Sequence, residues 1–166
     1  MSKNWRDAQQ EMLRAIEKDM LETAALTGRR ALSPAVHDAL RAVPRHKFVR
    51  PEDIALAYKN RPLPIGHGQT ISQPFIVALM SEFLDLPADA KTSANLLEIG
   101  AGCGYQSAVL AELAHDVAAI EIVADIARAS KRRLKRLGYS NVSIRIGDGA
   151  LGWPERAPFD GIIVAA

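Results

Sequence analysis

The sequence predicts an α/β protein: a doubly wound parallel sheet in its C-terminal part, preceded by an N-terminal helical extension. Three observations carry this reading. From residue 95 onward, short apolar strand-like runs alternate with helical runs at the intervals of βαβ units. A glycine cluster stands between the first of these strands and the helix after it. Before residue 90, apolar positions recur at helical spacing instead. The chain therefore divides into a helical region, 1–90, and a sheet region, 91–166.

In the helical region, Met12, Ile16, Met20 and Ala24 form an apolar stripe, with Glu11, Arg14, Lys18 and Glu22 between them, as in an amphipathic helix. Ser33-Pro34 is a helix start, Ser able to cap and Pro suited to the first turn. The short helix through Val36, Leu40 and Val43 is stopped by Pro44. Pro51 to Tyr58 reads as a further helical turn, and 61–74 as a loop. Past Pro74, Ile76, Leu79, Met80 and Phe83 line one face of another helix, and Pro87 to Ser93 is a polar connector.

In the sheet region, Asn95–Ile99 is an apolar strand, followed by the glycine cluster and a helical run to about Ala114. Val117–Ile122 is a second strand, and Ala124 to Leu137 a helix closed by Gly138. Val142–Ile146 and Gly161–Ala166 are the third and fourth strands.

Composition narrows the function classes. With 48% apolar residues in 166, the chain can fill one core of ordinary size. Twenty-one basic residues nearly balance nineteen acidic ones, so no nucleic-acid partner is required, and Lys131, Arg132, Arg133, Lys135 and Arg136 read as a solvated helix face. A single cysteine, Cys103, excludes an internal disulfide and fits a reducing compartment. Four scattered histidines and that one cysteine support neither a zinc site nor a nucleophilic triad. The N-terminus is interrupted by charges, unlike a signal peptide, and no apolar run approaches the ~20 residues that span a bilayer. The expectation is a soluble, cytoplasmic protein without a membrane partner.

The glycine loop reads Glu98-Ile99-Gly100-Ala101-Gly102-Cys103-Gly104-Tyr105. A dinucleotide fingerprint, G-x-G-x-x-G, needs glycine where Tyr105 stands, and an acid precedes the first glycine by two places. Glu121 ends the second strand, where a carboxylate can accept both hydroxyls of a ribose. Asp148, in Gly147-Asp148-Gly149 after the third strand, can accept from an exocyclic amine such as that of adenine. Each acid alone reads as a loop residue or helix cap. Three at the ends of three successive strands read as a nucleoside site.

This pattern resembles the class I S-adenosylmethionine-dependent methyltransferases, whose sheet is Rossmann-like: E-x-G-x-G-x-G, an acid ending the second strand, and an acid after the third. The segment RPLPIGHGQTISQP, residues 61–74, narrows the resemblance. With Pro44-Arg45-His46-Lys47-Phe48-Val49 before it and Gly147-Asp148-Gly149-Ala150-Leu151-Gly152-Trp153 after it, it resembles the protein-L-isoaspartate O-methyltransferase family. The similarity runs from about Val43 to Ala166. It implies methyl transfer from S-adenosyl-L-methionine to the carboxylate of L-isoaspartyl and D-aspartyl residues in damaged proteins, a repair reaction. It implies Ser72 at the active site, with Thr70 and His67 toward the acceptor. The cofactor would meet Gln69, Glu98, Gly100, Gly102, Gly104, Glu121, Asp148 and Gly149. His67, between two glycines, reads first as a turn residue.

The family's sheet continues beyond its fourth strand, so the resemblance also implies that strands five to seven are missing here and that turnover is weak. The strand at 162–166 is then an apolar edge that invites self-association. Two other functions stay open. One is a non-catalytic binder of the cofactor or a partner. The other is a nucleic-acid methyltransferase, disfavoured because Val164-Ala165-Ala166 stands where an N/D-P-P-Y/F motif belongs.

Overall fold

A computed structural model describes residues 5–165; residues 1–4, part of the charged N-terminal stretch, and Ala166, the last residue of the expected edge, lie outside the described range. Helices α1 (Trp5–Thr27) and α2 (Pro34–Ala42) come first, with 3-10 turns at Arg45–Lys47 and Pro51–Leu56. Strands β1 (Leu63–Gly66) and β2 (Gln69–Ile71) follow, then helices α3 (Pro74–Phe83) and α4 (Ala90–Ser93). The remainder is β3 (Asn95–Ile99), α5 (Tyr105–Leu113), β4 (Asp116–Glu121), α6 (Ala124–Leu137), β5 (Val142–Ile146) and β6 (Gly161–Val164).

The four long-range strands form one parallel sheet in the order β5-β4-β3-β6. Parallel pairing brings the C-terminal ends of β3, β4 and β5 to one side, so the loops after Ile99, Glu121 and Ile146 must meet there. Between β3 and β6 the connections diverge, which opens a crevice at that end.

The helical extension is not an appendage packed on the outside. Helix α5 is buried along every residue but Glu112, as expected of a helix apolar on all sides. One cluster joins Met12, Ile16 and Met20 of α1, Val36 and Leu40 of α2, and Tyr105, Ala108 and Val109 of α5. The sequence-derived cap holds: the Ser33 hydroxyl accepts from the Val36 N–H, while Ser33 itself donates through N–H and hydroxyl to Glu82.

Three expectations change. Residues 61–74 are not a loop but contain the β1–β2 hairpin, with Leu63 opposite Ile71 and a register irregularity before Gly66. Its turn, His67-Gly68, has φ of 54° and 72°, the doubly positive pair that a primed hairpin turn demands. Pro64 hides the strand from a sequence reading, yet an isolated two-stranded ribbon leaves room for its missing N–H. In α3 the buried side is Phe75, Val77, Ala78 and Ser81, whereas Ile76 and Phe83 are exposed. That helix is apolar nearly all round, so spacing does not select its inward face, and packing against α1 and α2 does. Finally, the connector 87–93 contains the short helix α4, whose Ala90 is buried.

At the free edge of the sheet, Ile162 and Val164 of β6 are exposed beside Met80, Phe83 and Leu84. No helix among the described residues is long and apolar enough to cross a membrane.

Candidate active site

A hollow of about 350 Å³ opens at the C-terminal end of the sheet. Its floor is the glycine loop, one wall is Glu121 and Ile122, another is Gly147–Ala150, and the hairpin end Gln69–Ser72 closes the remaining side. Glu98, Glu121 and Asp148 all line it, and among the described residues no lysine, arginine or histidine does. The larger cavity of about 890 Å³, between α2, α3 and α4, is of another kind. Its carboxylates are already matched: Asp38 by Arg41, Asp85 by Arg29, Glu112 by Lys91, and Glu82 by Ser33.

The glycine loop spends its N–H groups internally. Gly100 and Ala101 donate to the Ile120 carbonyl at 2.8 and 3.0 Å, and Gly104 donates to Ala101 at 2.8 Å. Gly102 donates to Glu121 Oε2 at 2.8 Å, and Val123 N–H donates to Oε1 of the same carboxylate at 2.8 Å. A phosphate cradle needs such donors free. This loop offers a close-packed apolar floor instead.

Gly104 does not line the hollow. Its φ is +86°, and a Cβ there would come within 3.1 Å of Leu134 Cδ1 and 3.2 Å of Ser130 Oγ. It is the hinge that lets the loop enter α5 while pressed on α6. We expect Gly104→Ala to lose about 2 kcal/mol through left-handed strain and crowding, measured as a lower urea midpoint at unchanged slope. Gly149 answers a different constraint, since a Cβ there would overlap the Ile99 side chain. It lets the loop after β5 fold back over the end of β3.

The three acids differ in environment. Asp148 is exposed and caps a 3-10 turn by accepting from Ala150 N–H at 2.9 Å. Glu121 is 6% exposed and braces the loop as described. Glu98 is wholly buried, accepts a short hydrogen bond from Ser107 Oγ, and leaves Oε1 without a partner. Burial pushes its carboxyl from 4.5 up to about 8, with the Ser107 hydrogen bond opposing and the nearby Glu121 charge adding. It is therefore mostly protonated at neutral pH in this state.

On the hairpin side, Gln69 and Thr70 are exposed and Ser72 is half-buried, all three facing the hollow. His67 is not brought there. It sits at the turn and borders a smaller cleft with Asp125 and Arg133. Burial pushes the Cys103 thiol up, so it is no thiolate at neutral pH and serves as loop filler. Arg133, read as solvated surface, instead donates to the Cys103 carbonyl at 2.9 Å. The sequence reading missed Tyr105, Gln106, Ile99 and Ala165 as lining residues. Their places just after the third glycine or at strand ends were the available signal.

The strand order, the internally bonded glycine loop and the carboxylate-lined crevice define the class I, Rossmann-like methyltransferase fold. A family profile described as protein-L-isoaspartate(D-aspartate) O-methyltransferase matches residues 16–166. The chain is 50% identical over 159 residues to protein-L-isoaspartate O-methyltransferase 2 of Syntrophobacter fumaroxidans, covering 96% of this chain and 63% of that one. It is 56% identical over 134 residues to the protein-L-isoaspartate O-methyltransferase of Dictyoglomus turgidum, covering 81% and 59%. A solved protein-L-isoaspartate O-methyltransferase superposes with a TM-score of 0.78 at 28% identity, covering 95% of this chain and 48% of that one. A Plasmodium falciparum structure, titled a putative member in complex with S-adenosyl-L-homocysteine, shares the fold with a TM-score of 0.68 at 24% identity, covering 90% and 73%. The chain belongs to the protein-L-isoaspartate(D-aspartate) O-methyltransferase family. It spans less than two thirds of the length of the two curated relatives named here.

Proposed function

We propose that this chain transfers a methyl group from S-adenosyl-L-methionine to the carboxylate of L-isoaspartyl, and D-aspartyl, residues in damaged proteins and peptides. The observation that carries this is a hollow lined by three acidic side chains and, among the described residues, no basic one, with the Ser72 step of the hairpin on its wall. Such a lining repels a polyphosphate and suits a nucleoside bearing sulfonium and ammonium charges. The unpartnered Glu98 Oε1, deep in the hollow, fits a cationic group as well. Family membership supports the choice of acceptor.

In this reading Glu121 accepts the ribose hydroxyls with the lone pairs its two backbone donors leave free. Asp148 accepts from the adenine amine, and Gln69 contacts the cofactor from the hairpin side. Bound there, the cofactor supplies an electrophilic methyl group. The chain's own task is to place a carboxylate in line with it, and positioning of that kind can supply ~7–11 kcal/mol of a barrier. No general base is needed, because a carboxylate of pKa about 4 is ionised at neutral pH. Ser72 orients it through its hydroxyl, and Thr70 lies beside it.

The test is methylation of an isoaspartyl peptide with labelled donor, its aspartyl counterpart serving as control. We expect label in the first and none in the second. Ser72→Ala should lower kcat/KM about 10- to 100-fold while calorimetric cofactor affinity stays unchanged. Label on neither peptide, or equal label on both, would defeat the proposal.

A further inference from the structure

The hollow that suits a cation presents a difficulty for an anion. An acceptor carboxylate must approach Ser72 in a cleft whose lining includes Glu121 and Asp148 and, among the described residues, no basic one. The counterweight lies one layer behind. Arg45 is 0% exposed, although it is the first residue of a short 3-10 turn following a proline. Its Nε donates to the Ala57 carbonyl at 2.9 Å, and one Nη donates to the Ser72 carbonyl at 2.8 Å and to Arg61 at 3.5 Å. The guanidinium lies 4.6 Å from the Tyr105 ring centroid, and Tyr105 itself lines the hollow.

Two features separate this from an ordinary buried arginine. Among the described residues no ion pair includes Arg45, so its charge stays unneutralised by any carboxylate. Its other Nη makes no hydrogen bond of good geometry, and its polar neighbour is the Tyr105 hydroxyl, a neutral group that likewise has no other partner. Burying an uncompensated cation is costly, and a guanidinium does not escape the cost by deprotonating. Carbonyl dipoles offset part of it. The remainder is a positive potential at the back of the Ser72 step, where a negative charge would relieve it.

We infer that Arg45 is a positioning residue for the acceptor: it fixes the Ser72 backbone and supplies the buried positive charge that admits a carboxylate into an acidic cleft. This rests on the carboxyl-methylation reading above. It assigns Arg45 no contact with the reacting atoms. Its effect is on the anionic substrate and not on the neutral methyl ester produced from it.

The experiment compares those two ligands. Binding of an isoaspartyl peptide and of its methyl ester is measured by calorimetry, with S-adenosyl-L-homocysteine present so that no turnover occurs. Arg45→Gln should weaken the acid about tenfold while leaving the ester and the homocysteine cofactor within about twofold. Arg45→Lys, which keeps the charge but not the planar fork, should keep the wild-type ratio of acid to ester affinity. Equal losses for acid and ester in Arg45→Gln would mark a purely structural role and overturn the inference. Should Arg45→Gln not fold, a collapsed acid-to-ester ratio in Arg45→Lys would overturn it equally. If the wild-type chain binds neither peptide, the carboxyl-methylation reading itself fails, a result distinct from a wild type that binds and a variant that does not discriminate.

Discussion

Glu121→Ala is expected to raise the dissociation constant for S-adenosylmethionine by about 100-fold or more and to lower the melting temperature as well. Both effects come from one carboxylate with two duties. Its oxygens hold the N–H groups of Gly102 and Val123, and leaving such donors unpaired costs ~1–3 kcal/mol each. The same oxygens are the proposed partners of the ribose hydroxyls. Glutamine does not repair the loss, because its amide turns an NH2 toward one of the two N–H donors. Calorimetric titration and a thermal melt on both variants check this. Cofactor affinity within threefold of wild type in Glu121→Ala would remove the ribose assignment.

The second large effect is on stability as a function of pH. Glu98 titrates near 8 in the folded chain because burial disfavours its charge, whereas an unfolded glutamate titrates near 4.5. Between these values the folded state holds a proton that the unfolded state has released. The Glu98 contribution to stability therefore falls as pH rises from about 4.5 to about 8, and levels off above. At about 1.4 kcal/mol per pH step the window spans on the order of 3–5 kcal/mol. Glu98→Gln removes that slope, so the stability of the variant relative to wild type should increase steadily from pH 5 to pH 8. Urea titrations at four pH values read it directly, and parallel curves would show that the proton sits elsewhere. The same group gives a test of the cofactor. A cation in the hollow favours the ionised carboxylate, so wild-type binding at pH 7 should release protons and Glu98→Gln binding should not.

How much of this was legible in the sequence follows from where each signal lives. The parallel sheet was legible because strand and helix periods alternate cleanly after residue 95, and parallel pairing then dictates that Glu98, Glu121 and Asp148 share one end. The hairpin was not legible, because Pro64 and two glycines imitate a loop, and only pairing to Gln69–Ile71 makes it a ribbon. The inward face of α3 was not legible either, since Ile76 and Phe83 are as apolar as Phe75 and Ala78. Arg45 and Arg133 were hidden for a general reason. An arginine next to other charges reads as surface, and its burial depends on residues distant in sequence, Ser72 and Cys103. His67 shows the reverse case, where turn geometry outweighs chemical type.

The cluster that runs from Met12 through Leu40 and Phe48 to Tyr105 and Leu134 bears on how the two halves of the proposed reaction would be kept apart. The ribbon that leads into Ser72 and the glycine turn on the floor of the hollow are moored to a single oily mass. Their spacing is thus a product of folding, like the gap between the jaws of a cast caliper.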